Sequence, residues 1–227
     1  MQFFAVLFFL LAQTALGAIE IAGVEVWGKV ELSGAYVHLD IIEANKTVSK
    51  KDLPAVRSDA VIIIGQGWNI RPTVMWGRYK TEFFTAGIGF GRCIPVKDWL
   101  IFTPLVGVNY SQVLTSVHLD LPVVGSTKFR EKFEATAPWV GLETTYVINT
   151  CWRVTGVAQY AWSRSHTKLG DLHFNDDSKG PNFGVQLEHD LSKKWSINLG
   201  AGWNLSLSRD SNGIRARGAK IGLARWF

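Results

Sequence analysis

The residues best suited to chemistry in this chain are few and scattered. Five histidines stand at 38, 118, 166, 173 and 189. Two of them repeat a tetrapeptide, Val37-His38-Leu39-Asp40 and Val117-His118-Leu119-Asp120, and an acidic pair, Asp176-Asp177, lies further along. An imidazole beside carboxylates suits general-base hydrolysis, provided the groups converge in space. Ser116 and His118, two residues apart, share one face of a strand and could form a nucleophile and its base. Such pairs also arise easily by chance in any strand. No cluster has metal-ligand spacing, no cofactor motif occurs, and Gly87-x-Gly89-x-Gly91 alternates within a strand rather than forming a nucleotide loop.

A second set of chemically active residues emerges from strand parity. Lys29, Glu31, Glu143, Arg153, Glu188 and Lys220 all fall on the small-polar face of alternating segments. Charges enclosed by such a face must pair with one another or meet water. Paired, they form a satisfied polar core; unpaired and hydrated, they line a gate or narrow pore. By parity Lys220 and Glu31 are expected to meet near mid-height of the wall, with Glu143 and Arg153 further round.

The elements that must position these groups are strands. From Trp195 to Ser208 the odd positions carry Trp, Ile, Leu and Ala, while the even positions carry Ser, Asn and Gly without exception. Shorter versions of this pattern occupy 24–36, 84–91, 102–111, 140–148, 152–163 and 182–188. The polar face is Gly, Ser, Thr and Asn with isolated charges, whereas soluble surfaces are more densely charged. An inverted arrangement therefore fits, with the apolar side facing lipid and the polar side facing inward. That is an all-β, antiparallel, up-and-down transmembrane β-barrel.

Composition agrees. The chain has 227 residues, 47% hydrophobic and only 19% charged, against about 25% charged in ordinary soluble domains. The apolar content excludes a disordered chain and the 2 Cys exclude a disulfide scaffold, while 22 Gly and 10 Trp are more than an ordinary soluble domain usually carries. Beyond the N-terminus no apolar run reaches the roughly 20 residues of a spanning helix. Residues 1–17 read as a secretory signal peptide, with Ala15-Leu16-Gly17 as the cleavage signal and 18–227 as the barrel.

Short polar turns that end in Trp lie at Val96–Trp99, Asn149–Trp152 and Leu191–Trp195. Longer polar stretches at 39–58, 114–133 and 166–179 read as loops at the opposite end. The segment 59–80 provides either part of a long first loop or two further strands meeting near Ile70-Arg71-Pro72. Ten strands are preferred over eight, because a structureless loop exposing Val61-Ile-Ile-Ile64 is unfavourable. Cys93 and Cys151 fall at strand ends three strands apart, so two free thiols are expected.

The last strand ends in Phe227 with Leu223 and Ile221 on the same face. This resembles the C-terminal signal of bacterial outer-membrane proteins. Together with the leader, the chain is similar to small Gram-negative barrels of the opacity-protein and outer-membrane-protein-beta-barrel type. The resemblance implies the bacterial outer membrane, insertion by the barrel assembly machinery, and Ile221, Leu223 and Phe227 as the assembly signal. It leaves three roles: a non-enzymatic envelope or surface-contact barrel, a narrow porin-like channel, and a lipid A-modifying or omptin-like enzyme. The first is preferred, since the sequence context of omptins is missing and Ser116/His118 reverses the His-x-Ser order of lipid A deacylases. Lys46, Lys50, Lys51, Arg57, Lys128, Arg130, Lys132, Lys168 and Lys179 suit the phosphates of lipopolysaccharide, and outer-membrane lipid is the surrounding partner. The basic residues follow loops rather than one face, so nucleic acid is not indicated; a host or surface ligand stays unidentified.

Overall fold

The structure, a computed structural model, describes residues 19–21, 24–79, 81–121, 125–169 and 172–227. The segment 1–17, expected to be a signal peptide, lies outside the described residues. Ten strands form the barrel: β1 Gly28–Glu43, β2 Lys46–Gly65, β3 Trp68–Arg78, β4 Glu82–Arg92, β5 Leu100–Leu121, β6 Gly125–Val147, β7 Trp152–Leu169, β8 Leu172–Asp190, β9 Trp195–Ser208 and β10 Gly213–Trp226. Each pairs antiparallel with its sequence neighbours, and β10 pairs with β1, Leu223 opposite Leu32 and Lys220 opposite Ala35. The ring is therefore closed. At the seam the amides of Trp27 and Gly28 donate to the Phe227 carbonyl at 2.7 and 3.0 Å, and the Phe227 amide donates to Gly28 at 3.1 Å. Closure matters because an open edge would leave unpaired backbone groups in hydrocarbon.

The exposure pattern sets the orientation of the wall. Leu32 is 61% exposed, while its neighbours Glu31 and Ser33 are 2% and 3% exposed. Val106, Leu199 and Ile221 are likewise turned outward. A continuous apolar wall of this size has no place in water and fits lipid. The Trp residues mark its lower border. Trp27, Trp68, Trp99, Trp152 and Trp195 are all exposed and all lie at the end that carries the short turns and Phe227. This is the periplasmic end in an outer-membrane barrel, and the Trp side chains form its interfacial belt.

Two sequence expectations need correction. The stretches 39–58, 114–133 and 166–179 are largely strand rather than loop, because β1/β2, β5/β6 and β7/β8 continue past the apolar band as hairpins. β5 has 22 residues and β6 has 23. At about 3.3 Å per residue and a tilt of about 40°, such strands rise about 55 Å, roughly twice the band. Polar composition marks them as exposed to water, and exposed polar residues pair into a ladder as readily as they form a loop. β3 and β4, with 11 residues each, barely clear the band, so the outer rim is high on one side and low on the other.

The second correction concerns the turn within 59–80. It falls at Gln66-Gly67 and not at Ile70-Arg71-Pro72, which lie inside β3. Gly65, Gln66 and Gly67 have φ of 120°, 49° and 80°, a left-handed path that favours glycine. Pro72 still leaves a mark: the β2/β3 pairing is interrupted between Asp59↔Thr73 and Ile62↔Ile70, where Pro72 has no amide to donate. Val24–Val26 also departs from the first barrel strand, pairing instead with Ile19–Ile21.

Candidate functional site: the charged lumen and the outer rim

At the periplasmic end of the lumen, Trp226 forms a floor. Its indole N–H donates to Ser196 Oγ at 3.2 Å, and Lys29 Nζ and the Arg153 guanidinium sit 4.9 and 4.7 Å from its ring centroid. Lys29 reaches Glu188 at 2.9 Å, and Arg153 reaches Asp190 at 2.5 Å and Glu188 at 3.7 Å. Ser196 donates to the other oxygen of Glu188. β1, β7, β8, β9 and β10 all contribute to this floor.

One layer higher, Lys220 Nζ lies 2.5 Å from Glu31 and 3.3 Å from Asp59. Asp59 also receives Arg57 at 2.7 Å and the Thr73 hydroxyl at 2.8 Å. Across the lumen, Arg71 of β3 holds Glu143 of β6 at 2.6 Å and donates to Asn69 at 2.7 Å. The two acceptor strands of Lys220, β1 and β2, are neighbours, but Arg71–Glu143 and Lys29–Glu188 each span three strand steps round the ring. These pairs are chords that bind the walls together and fill the lower lumen.

The structure thus places Lys29, Glu31, Glu143, Arg153, Glu188 and Lys220 on the lumen face. Their partners Arg57, Asp59 and Arg71 are additional members that alternation in the clear strands does not reveal, whereas Asp190 continues the parity of Glu188 by one step. Arg57 is a further correction: it belongs to β2 and points at Asp59 rather than standing in an outer loop. The signal that could have found these residues is Arg57-x-Asp59 itself, two opposite charges on one strand face.

Higher in the lumen, Trp139 lies against Gly89 and Gly107, where an added Cβ would come within 3.1 and 2.5 Å of its ring. Those glycines make room for an indole inside the wall. Cys93 is buried and receives the Asn69 amide at 3.4 Å; Cys151 is exposed, and both thiols are free.

A different constellation occupies the outer rim. On the lipid-side face of β1, above Tyr36, His38 contacts Asp52 at 2.7 Å and Asp40 at 3.2 Å. Asp40 is fully buried beneath Arg215 and Arg217, at 2.9 and 3.0 Å. The hydrogen bond from Arg217, with Arg215 alongside, holds its carboxyl down to about 2. The His38 hydrogen bond likewise lowers Asp52. Two guanidiniums therefore occupy Asp40, and Asp52 is the carboxylate left to His38. Asp177 of the acidic pair binds Arg164 at 3.2 Å. The side chains of Ser116, His118 and Asp120 lie outside the described ones. Among the described residues no group of three His, Cys, Asp or Glu is placed to hold a metal.

With this geometry in place, comparison with known proteins adds fold but not family. No protein-family model matches the sequence, and no curated relative does. Among solved structures the chain is similar to the outer membrane protease OmpT of Escherichia coli, with TM-score 0.54 and 10% identity over 88% of this chain and 96% of that one. It is also similar to the translocator domain of the autotransporter NalP of Neisseria meningitidis, with TM-score 0.53 and 12% identity over 99% and 96%. Neisserial surface protein A aligns at TM-score 0.48 and 11% identity over 88% and 97%. At such identities the likeness is one of fold, and the fold is that of outer-membrane β-barrels.

Proposed function

We propose that this barrel serves the bacterial outer membrane as a closed, non-enzymatic surface-contact protein. The observation that carries the reading is the ion-pair plug: Lys29–Glu188, Arg153–Asp190, Lys220–Glu31 and Arg71–Glu143 cross or brace the lower lumen above a Trp226 floor. A lumen filled in this way supports no wide aqueous path. Contact falls instead to the high side of the rim, where β5 to β8 project beyond the lipid. Insertion by the barrel assembly machinery follows from the resemblance of the terminal strand, with Ile221 and Leu223 exposed on its lipid face and Phe227 at the seam. Lipopolysaccharide is the partner for the basic residues of the projecting hairpins.

A narrow water-filled path is the second reading. Asn198 favours it: the residue is 2% exposed and neither atom of its amide has a partner among the described residues. Planar-bilayer recording of the full-length protein separates the two. The closed reading expects no conductance steps in the native barrel and steps only when Glu188→Gln loosens the floor. Steady small steps in the native protein would establish the narrow path, and large ones would overturn the plug altogether.

A further inference from the structure

Exposed cations stand at both ends of the barrel wall, and their neighbours differ. At the outer rim, Arg215 and Arg217 share Asp40, Arg164 binds Asp177 and Lys132 binds Glu134, while Lys46, Lys50 and Arg209 make neither an ion pair nor a ring contact among the described residues. At the periplasmic rim, Arg92, Lys97 and Arg225 are exposed and make no ion pair among the described residues. Each lies instead over a belt tryptophan: Arg92 is 5.4 Å from the Trp68 ring centroid, Lys97 is 5.0 Å from Trp99, and Arg225 is 5.7 Å from Trp195. Lys193 and Lys194 add two more charges in the turn before Trp195, and Asp98 is the one acid in the described short turns.

Inside the barrel the same contact has a different outcome. Lys29 and Arg153 also lie over an indole, that of Trp226, but carboxylates neutralise both. The outward cations keep their charge. A guanidinium stacked on a ring uses its face and leaves its in-plane N–H donors to other partners; Arg92 donates its Nε–H to the Gln66 carbonyl at 3.4 Å, and its terminal N–H groups match a phosphate. Tryptophan fixes the depth of each cation at the headgroup level.

We propose that Arg92, Lys97 and Arg225, each seated on its tryptophan, form a belt that selects anionic phospholipid headgroups of the periplasmic leaflet. This rests on the membrane-barrel reading and adds a lipid class to it. The test reconstitutes the full-length protein in nanodiscs of phosphatidylcholine with a minor fraction of phosphatidylglycerol, and reads co-purifying lipid by native mass spectrometry. Phosphatidylglycerol should be enriched, by about fivefold for each cation that meets a headgroup. The combined variant R92Q/K97Q/R225Q should lose that enrichment, and R92K/R225K should keep most of it. The outer-rim variant R164Q/R217Q should bind lipid like the native chain. Equal lipid ratios in native and R92Q/K97Q/R225Q protein would overturn the proposal, as would loss of enrichment in R164Q/R217Q alone. A gel shift on heating shows in each sample that the barrel has formed, so failure to insert counts against the membrane reading and not against lipid choice.

Discussion

Ion pairs on the two faces of this wall have similar lengths and very different surroundings. In the lumen, Lys29 and Glu188 meet at 2.9 Å with side chains 15% and 4% exposed. On the outer wall, Arg164 and Asp177 meet at 3.2 Å with 84% and 76% exposed. Water screens the second pair, and holding two mobile side chains offsets much of what attraction remains. In the lumen neither charge can retreat to solvent, so removing one strands the other. Geometry alone does not rank these contacts; burial does. The Asp40 cluster lies between the extremes, with a buried acid and two half-exposed guanidiniums.

The sharpest way to break the comparison is Glu188→Gln. This acid is the one ion-pair partner of Lys29 among the described residues and also serves Arg153 and the Ser196 hydroxyl, so its loss strands Lys29, while Arg153 keeps Asp190 at 2.5 Å. A cost of about 3–5 kcal/mol is expected. Urea unfolding followed by the heat-dependent gel shift should show a markedly lower midpoint. An unchanged midpoint would mean that water already solvates the floor.

Glu31→Gln should cost less, because Lys220 keeps Asp59 at 3.3 Å. Adding Lys220→Gln in the same chain should recover part of the loss, since the stranded cation is gone. If the double variant is weaker than the sum of the singles, the pair is not the coupled unit described here.

Asp40 tests the intermediate case through pH. Its carboxyl titrates at about 2 in the folded chain against an ordinary 3.8. A depressed acid contributes stability above its unfolded value, and that contribution fades as pH falls from 3.8 through about 2. Native protein should therefore lose stability across this window by more than Asp40→Asn does. Parallel acid profiles for the two would show that Arg215 and Arg217 do not hold the group.

The smallest effect belongs to Arg164→Gln. An exposed pair contributes about 0–1 kcal/mol, and less in high salt. Its unfolding midpoint should stay within error of the native one. A loss comparable to Glu188→Gln would contradict the ranking by burial.

Alternation makes much of this barrel legible without coordinates. Leu32 and Glu31 differ in parity, so one faces lipid and the other the lumen; Trp195 to Ser208 reads as a wall strand for the same reason. The hairpin extensions are less legible. Residues 46–53 and 125–133 lie beyond the apolar band, where neither face needs to be hydrophobic, and without that requirement the two-residue period fades. Arg57 lies within the band, opposite Ser33, but it follows closely on that patternless stretch and so looks like part of a loop.

What the sequence determines by itself is therefore the sidedness of each spanning segment and the placing of Trp at the strand ends, because hydrocarbon penalises every outward polar group. That also suffices to give Lys29, Glu31, Glu143, Arg153, Glu188 and Lys220 one common face. Which acid meets which cation is decided only in the tertiary structure. Lys29 and Glu188 are 159 positions apart, and they meet because ten strands close into a ring of definite circumference and shear. A shift of register or two fewer strands would leave every parity intact and change every partner.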